Sequence, residues 1–293
     1  MDSAAARLPI YEIEAELVAR FTAERRLIVQ APTGSGKSTQ IPQMLLDRGL
    51  AGRGQIAILQ PRRLAARLLA ARVAQERGCE LGGEVGYQIR FEQCAGPATR
   101  IKYVTEGILL RQMLQDPTLA GVGVLIFDEF HERHLYGDLT LAQALELQER
   151  QRPDLGLVVM SATLDAGLLE EYLRPCAVLR SGGRTFPVEL EFAPHRSGPQ
   201  SAPVWERAVD AFERHAQGGG TGDVLIFMPG SYEIQQTLGA LRHCRAADDY
   251  ALLPLHGELS PREQDAAVAR HDRPKVVVSD RKSTRLNSSH GKL

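Results

Sequence analysis

Residues 31–39 have the composition of a loop that wraps phosphate groups, since they read Ala-Pro-Thr-Gly-Ser-Gly-Lys-Ser-Thr. Glycines allow backbone N–H groups to turn inward around phosphate oxygens, and a helix after the loop adds the partial positive charge of its N-terminus. A lysine here can reach the β- and γ-phosphates of a nucleotide, and a serine hydroxyl can ligate Mg²⁺. The residues expected to bind nucleotide are Thr33, Gly34, Ser35, Gly36, Lys37, Ser38 and Thr39, with Lys37 also catalytic and Ser38 also a metal ligand.

The surroundings of this loop decide between two interpretations. A glycine-rich turn with a solvated lysine is the simpler one, and Ala31 departs from the strict pattern, which has glycine at that position. However, the apolar run Leu27–Val29 precedes the loop, and a helix is predicted from Lys37 to Leu46. A loop between a buried strand and a helix favours nucleotide binding.

A second candidate feature is the acid pair Asp128 and Glu129, which directly follows the apolar run Val124–Phe127. Ligand-binding groups of open parallel sheets gather at the carboxyl ends of the strands. We expect Asp128 to hold Mg²⁺ and Glu129 to orient or deprotonate an attacking water, so both are predicted to be catalytic. An isolated Asp-Glu pair is commonly a solvated strand end, and a phosphate-transferring kinase would use the same loop. The pair gains weight because the phosphate loop is predicted in the same sheet.

The strands that must position these residues are unbroken apolar runs, such as Ile56–Leu59, and they alternate with helices. Parallel sheets that helices cover on both faces have such strands, so the pattern predicts an α/β fold. Glycines and prolines interrupt the pattern near Gly183, where we place a domain boundary. Residues 1–182 then form the first domain, and residues 183–279 form the first half of a second α/β domain.

Composition limits the classes of protein to which the chain can belong, but it does not indicate a binding partner. The 293 residues suffice for about two domains, and 43% of them are hydrophobic, as in ordinary globular proteins. The net charge of −1 weakens a nucleic-acid role but does not exclude it. The four cysteines are scattered, which favours reduced thiols over zinc ligands or disulfides. Since neither a signal peptide nor a membrane-spanning run of about 20 apolar residues is present, we expect no membrane contact and a cytoplasmic location.

Seven short motifs occur in the order found in DEAH-box helicases, which the chain resembles over about residues 8–279. They are residues 34–40 (Gly-Ser-Gly-Lys-Ser-Thr-Gln), 60–63 (Gln-Pro-Arg-Arg), 104–107 (Val-Thr-Glu-Gly), 128–133 (Asp-Glu-Phe-His-Glu-Arg), 161–163 (Ser-Ala-Thr), 227–230 (Phe-Met-Pro-Gly) and 255–257 (Leu-His-Gly). The run closely resembles the bacterial HrpB-type branch. The resemblance implies a P-loop RecA-like domain followed by an incomplete second RecA-like domain. It also implies ATP and Mg²⁺ as cofactors and single-stranded RNA as the partner, with DNA as an alternative.

The resemblance also implies roles for individual residues. Arg62, Arg63 and Thr105 are similar to residues that contact the nucleic-acid backbone. Arg72 is similar to an arginine that stacks on adenine. Without the neighbouring motifs, the paired arginines would be a solvated helix start and Arg72 one face of a helix.

Three further residues are expected to link the site to domain movement. Ser161 and Thr163 resemble the residues that connect the γ-phosphate to domain closure, and His131 resembles the catalytic histidine that couples the acid pair to the second domain. Taken alone, these would be an ordinary strand exit and a surface histidine. Phe130 stands where the family name has alanine; we expect the chemistry to survive and the local packing to differ.

Two other classes of protein stay open. A P-loop kinase or small-molecule NTPase would share the phosphate loop, but the Ser-Ala-Thr motif, the paired arginines and the second α/β half argue against it. A non-catalytic binding module would describe the chain if parts needed for turnover are missing. The arginine-rich motif and the adenine-stacking aromatic of the second domain are expected downstream, so we predict weak Mg-ATP binding and slow hydrolysis by this chain.

The last segment, residues 280–293, departs from the family pattern. Residues 280–290 match the translation of a common short-read sequencing adapter, so we expect 280–293 not to be biological; a diverged polar terminus is the alternative. The sheet would then stop after its last apolar run, and we expect an exposed, aggregation-prone strand edge at Val276–Val278.

Overall fold

The computed structural model describes residues 8–162, 166–183, 188–192 and 202–280. The chain divides into two compact units, Met1–Thr185 and Phe186–Leu293, and each is described by itself. No helix in the described ranges is long and apolar enough to cross a bilayer.

The first unit is a mixed α/β layer structure built on one large sheet. Its strands are β1 (Arg26–Gln30), β2 (Gln55–Gln60), β3 (Val85–Ile89), β4 (Glu92–Cys94), β5 (Ile101–Thr105), β6 (Val122–Phe127), β7 (Gly156–Ser161) and β8 (Ala177–Arg180). Its helices are α1 (Glu14–Glu24), α2 (Lys37–Asp47), α3 (Arg63–Glu76), α4 (Glu106–Gln115), α5 (Leu135–Arg150) and α6 (Ala166–Leu173). Short 3-10 turns cover Pro9–Ile13 and Phe130–Glu132.

The strand order is β4-β3-β5-β2-β6-β7-β1-β8, and every pair is parallel except β3 with β4. Every residue of β6 and of β7 is buried, because helices cover both faces of the sheet. The predicted parallel α/β sheet is therefore confirmed. Since neighbouring strands run the same way, the residues that end or directly follow β1, β2, β5, β6 and β7 share one side of the sheet, called here the carboxyl edge.

Sequence patterns did not predict the hairpin of β3 and β4 or the edge strand β8. Strands β4 and β8 have only three and four residues, and Gln93 in the middle of β4 is exposed. Neither strand therefore gives a long apolar run. The antiparallel strand β4 closes one end of the sheet, and β8 closes the other. Neither strand contributes a predicted site residue.

The second unit is a smaller α/β structure. It contains α7 (Val204–Gln217), β9 (Val224–Met228), α8 (Ser231–Leu241), β10 (Ala251–Leu255), α9 (Pro261–Val268) and β11 (Lys275–Asp280). The three strands form a parallel sheet in the order β10-β11-β9. Phe212, Ile234 and Leu238 pack with Val276 and Val278 to form its core.

The expectation of an exposed strand edge at Val276–Val278 is wrong. These residues lie in β11, which is the central strand, and they are 0–2% exposed. Strand order in a parallel sheet need not follow sequence order, so the last strand lies between the first two. The edges are β9 and β10, and Phe227 of β9 is 54% exposed.

Regular structure reaches the first residue of the segment that we expect not to be biological. Asp280 belongs to β11 and pairs with Met228 of β9, so the regular strand extends one residue into the segment 280–293. Residues 281–293 lie outside the described residues, and the origin of that segment stays a prediction.

Candidate active site

The phosphate loop joins the end of β1 to the start of α2, as the strand–loop–helix pattern predicted. Gly34 and Gly36 have φ of +79° and +94°, a left-handed conformation that suits glycine. A Cβ on Gly36 would lie 3.0 Å from Cδ1 of Leu8. The Gly36 carbonyl accepts the N–H of Gln40 at 2.8 Å, which begins the helix. The loop therefore has the tight backbone and helix start that phosphate binding needs.

Lys37 and Glu129 meet at the carboxyl edge. The Lys37 side chain is 2% exposed, and its Nζ lies 3.0 Å from Oε1 of Glu129. Glu129 has a left-handed backbone with φ of +51°, which is uncommon for a residue other than glycine. Such backbone strain is found preferentially at functional sites. The structure thus brings the predicted phosphate-binding lysine and the predicted water-activating acid into direct contact.

Asp128 is buried at the end of β6 and is held by three donors. It accepts hydrogen bonds from the Gln60 amide and the Ser38 hydroxyl, and its Oδ1 accepts the Glu129 N–H at 2.8 Å. Burial, and next the charge of Glu129, raise the pKa of Asp128, while Lys37, Ser38 and Gln60 oppose that rise. Removal of a carboxylate from water beside a second carboxylate disfavours its charge, so the site attracts a cation.

The donor set fits the expected metal. The Ser38 hydroxyl and the Asp128 carboxylate lie together, and Mg²⁺ prefers oxygen ligands. Sequence reasoning missed Gln60, whose amide binds Asp128 and whose side chain is buried. The contact depends on the fold, because Gln60 ends β2, and β2 is the neighbour of β6 only in the folded sheet.

His131 lies in the 3-10 turn that follows the acid pair. Its Nε2 is 3.5 Å from Oε2 of Glu129. Its Nδ1 is buried and has no hydrogen-bond partner among the described residues. Phe130 of the same turn is buried, and its ring packs edge-on against Phe127 with centroids 6.3 Å apart. The residue that departs from the family pattern therefore anchors this turn to the core.

One group of side chains near the acid pair has the composition of a metal site. Ligand atoms of Glu129, His131 and Glu132 lie within 4.8 Å of one another. However, Glu129 already contacts Lys37, and Glu132 contacts Arg62 at 2.9 Å. We interpret the group as an ion-pair network.

The residues predicted to contact nucleic acid also lie at the carboxyl edge. Thr105 ends β5 and pairs in register with Gln60, which ends β2. Arg62 lies two residues after β2 and is the N-cap residue of α3, and Arg63 is the first residue of α3 and is exposed. The structure therefore places all three at the ends of adjacent strands, while their contacts with nucleic acid stay a prediction.

Arg72 projects from α3, and its side chain is 53% exposed. Its Nε donates to Oε1 of Glu76 at 2.7 Å. The other oxygen of Glu76 accepts from the side-chain amides of Gln40 and Gln43, at 2.8 Å and 2.9 Å. These glutamines belong to α2, so Arg72 is tied to the helix that follows the phosphate loop. Sequence reasoning missed this role of Glu76.

Ser161 ends β7, directly beside β1. Its carbonyl accepts the N–H of Ala31, the first residue of the phosphate loop, at 3.0 Å. The Ser-Ala-Thr motif therefore begins in contact with the loop. Thr163 lies outside the described residues.

The sheet, the loop and the acid pair together define a RecA-like P-loop fold, and the site has the groups that suit a nucleotide. Residues 11–171, more than half of the chain, match the DEAD/DEAH box helicase family. The chain therefore belongs to the DEAD/DEAH box helicases.

Two curated relatives have names that agree with this family. The chain is 41% identical over 280 residues to the ATP-dependent RNA helicase HrpB of Escherichia coli (strain K12), a match covering 93% of this chain and 33% of the relative. It is 34% identical over 311 residues to the probable ATP-dependent RNA helicase DHX35 of Pongo abelii, covering 97% of this chain and 42% of the relative. The chain thus spans between a third and a half of the length of these relatives.

Two solved structures share the fold. A crystal structure of the Escherichia coli DEAH/RHA helicase HrpB matches with a TM-score of 0.81 and 39% identity, over 93% of this chain and 34% of that one. A second, of the E. coli DExH-box NTPase HrpB, matches with a TM-score of 0.72 and 40% identity, over 96% and 34%. The resemblance to the HrpB-type branch is confirmed.

Proposed function

We propose that the protein is an ATP-dependent RNA helicase, in which hydrolysis of ATP drives movement along single-stranded RNA, unwinding, or remodelling of RNA–protein complexes. One observation supports this most. The phosphate loop and the acid pair meet at the carboxyl edge, which also carries Arg62, Arg63 and Thr105. The relatives HrpB and DHX35 both have names that include ATP-dependent RNA helicase.

In the proposed reaction, residues Thr33 to Thr39 bind the phosphates of ATP, and Arg72 stacks on the adenine. Ser38 and Asp128 would hold Mg²⁺, which neutralises the negative charge on the phosphate oxygens. Glu129 accepts a proton from water, whose oxygen bonds to the γ-phosphorus as the bond to the ADP oxygen breaks.

The contact of Lys37 with Glu129 means that nucleotide binding would precede the activation of water. Lys37 Nζ is 3.0 Å from the Glu129 carboxylate and is almost fully buried. When the γ-phosphate forms an ion pair with Lys37, the Glu129 carboxylate becomes free to bind water. His131 lies 3.5 Å from the other Glu129 oxygen and keeps the acid oriented. Nucleotide binding therefore prepares the catalytic acid.

Nucleic acid would bind through its backbone. Arginine donors suit phosphate oxygens, and backbone contacts position a strand without reading its sequence. Ser161 and Thr163 would report the phosphate state, since Ser161 already contacts the start of the loop. We also assign residues 1–182 and 183–279 to two RecA-like domains, the second incomplete, and we place the protein in the cytoplasm.

The test is ATP hydrolysis by the longest natural form of the protein, with no polynucleotide, with single-stranded RNA, and with DNA of the same sequence. We expect RNA to raise turnover more than DNA does. The double variant Arg62→Gln/Arg63→Gln should need more RNA for half-maximal stimulation. Its matched control is Arg20→Gln/Arg150→Gln, which removes the same charge from exposed ion pairs on α1 and α5. Turnover that no polynucleotide changes would favour the kinase or small-molecule NTPase.

A further inference from the structure

Glu132 contacts Glu129 of the candidate nucleotide site and also Arg62, one of the residues predicted to bind nucleic acid. Both of its carboxylate oxygens accept from Nη2 of Arg62, at 2.9 Å and 3.1 Å. The side chain of Glu132 is only 6% exposed, and that of Arg62 is 23% exposed. This ion pair is therefore sheltered from water and is stronger than a surface pair.

The backbone of Glu132 is tied to the acid pair. Its N–H donates to the carbonyl of Glu129 at 3.0 Å, which closes the turn Phe130–Glu132. His131 of that turn lies 3.5 Å from the Glu129 carboxylate. A movement of Glu132 thus acts on the residues that surround the catalytic acid.

A phosphate group competes with Glu132 for Arg62. It needs the same guanidinium donors, and its negative charge is repelled by the carboxylate. A nearly buried carboxylate that loses its cation is destabilised, so the turn must rearrange when Arg62 turns to phosphate. The arrangement therefore has two states, in which Arg62 pairs either with Glu132 or with a ligand.

His134 is a partner for the displaced carboxylate. The Oε2 of Glu132 lies 3.2 Å from Nε2 of His134. Glu106 is a repelling neighbour: burial raises its pKa, as do the charges of Asp138 and Glu132. The His134 ring nitrogen within hydrogen-bond distance on one side and the like charge of Glu106 on the other direct Glu132 towards His134.

We propose that Glu132 is a positioning residue that couples nucleic-acid binding to the ATP site: its carboxylate holds Arg62, and a nucleic-acid phosphate takes Arg62 away and releases the turn beside Glu129. The inference rests on the proposed function. It assigns to Glu132, which sequence reasoning left without a role, the regulation of hydrolysis by RNA.

The test is a double-mutant cycle with Arg62→Gln, Glu132→Gln and the variant that carries both. RNA affinity is measured by fluorescence anisotropy with a labelled single-stranded RNA. We expect Glu132→Gln to tighten RNA binding by about three- to tenfold, the effect of one charged competitor. In the Arg62→Gln background the same change should leave RNA affinity nearly unaltered, because the guanidinium for which Glu132 and phosphate compete has been removed.

Hydrolysis provides the second measurement. We expect Glu132→Gln to raise turnover without RNA and to lower the RNA concentration for half-maximal activation, so that the stimulation by RNA falls. A purely structural role would not raise turnover without RNA while lowering the RNA concentration needed for activation. The matched control is Glu146→Gln, which removes the same charge from an exposed pair on α5. If Glu132→Gln does not fold, Glu132→Asp shortens the reach to Arg62 and should change both quantities in the same directions.

The outcomes separate this inference from the function on which it rests. If Glu132→Gln changes RNA affinity equally in the wild type and in Arg62→Gln, Glu132 acts only through its negative charge on RNA, and the proposed coupling is wrong. Unchanged stimulation in Glu132→Gln, with wild-type protein that responds to RNA, would overturn the coupling alone. Wild-type protein that neither binds RNA nor responds to it would overturn the proposed function together with the coupling.

Discussion

At the scale of single residues, the acid pair places two carboxylates next to each other at the end of a buried strand. Burial and the charge of Glu129 raise the pKa of Asp128. A carboxyl group with a raised folded-state pKa stabilises the fold fully below its unfolded-state pKa. That stabilisation is lost as the pH rises through the folded-state pKa. Above its folded-state pKa, the ionised Asp128 therefore lowers the stability of the unliganded protein, while its charge suits the binding of a cation.

We predict that Asp128→Asn raises the melting temperature of the unliganded protein by about 2–5 °C at pH 7, the shift expected for a change of roughly 1 kcal/mol. The difference should shrink as the pH falls and the wild-type carboxyl takes up its proton. The same variant should lose the stabilisation that Mg-ATP gives to the wild type. Differential scanning fluorimetry across pH, with and without Mg-ATP, measures both effects. A lower melting temperature at pH 7 would show that the charge is well compensated.

At the scale of elements, the phosphate loop depends on a backbone that only glycine adopts easily. We predict that Gly36→Ala, at φ of +94°, loses about 1–2 kcal/mol of stability and lowers ATP affinity at least tenfold. The matched control is Gly49→Ala, at φ of +67° in the turn after α2, where a Cβ would meet no atom within 4 Å. That variant should lose similar stability and keep its ATP affinity. Equal ATP affinities in the two variants would contradict the role of the loop.

The turn after the acid pair makes a second prediction at this scale. Phe130 belongs to the core of the first unit and contacts Phe127, and the Arg133 guanidinium lies 5.6 Å from its ring centre. We predict that Phe130→Ala costs about 2–4 kcal/mol of unfolding free energy but leaves the turnover number within a few-fold, because the ring is not a ligand. Chemical denaturation and steady-state hydrolysis measure the two quantities. A large loss of turnover with little loss of stability would give Phe130 a role in catalysis.

The elements that the sequence predicted well are those whose signal is local. The buried strands β1, β2, β6 and β7 are unbroken apolar runs, and the loop before Lys37 has a specific glycine spacing. The hairpin of β3 and β4 was missed because β4 has only three residues and β3, which reads Val-Gly-Tyr-Gln-Ile, has no unbroken apolar run. The position of β11 was wrong because strand order depends on tertiary packing.

The site was predictable to a similar extent and for similar reasons. Motif order located Lys37, Asp128 and Glu129. The contacts of Gln60 with Asp128 and of Arg62 with Glu132 join distant segments, and only the fold brings them together. Sequence spacing therefore identified the groups that we assign to the nucleotide, whereas their supporting partners required the structure.

At the scale of the whole molecule, the first unit contains every described residue that we assign to ATP. It has its own sheet and its own core, and its size is sufficient for an independent domain. We predict that residues 1–185 alone unfold in one cooperative thermal transition and bind a fluorescent ATP analogue in the presence of Mg²⁺. Calorimetry and a fluorescence titration measure this, with Lys37→Ala as the non-binding control. The absence of a cooperative transition would mean that the second unit is needed for folding.

In the proposed function, the second unit would couple hydrolysis to movement. It repeats the parallel strand–helix architecture, and its described strands bury a core of their own. A single P-loop unit would suffice for a kinase or a small-molecule NTPase. RNA-dependent turnover is therefore a property to be measured on the longest natural form of the protein.

In the proposed mechanism, Glu129 activates water for ATP hydrolysis in response to RNA. This role is tested by comparing ATP turnover at saturating single-stranded RNA between the wild type and Glu129→Gln, together with Mg-ATP affinity. We expect turnover to fall by about 10²–10⁴, the range for a general base, while affinity changes by no more than about threefold. Turnover that persists in Glu129→Gln, or a loss that follows entirely from lost affinity, would contradict this role.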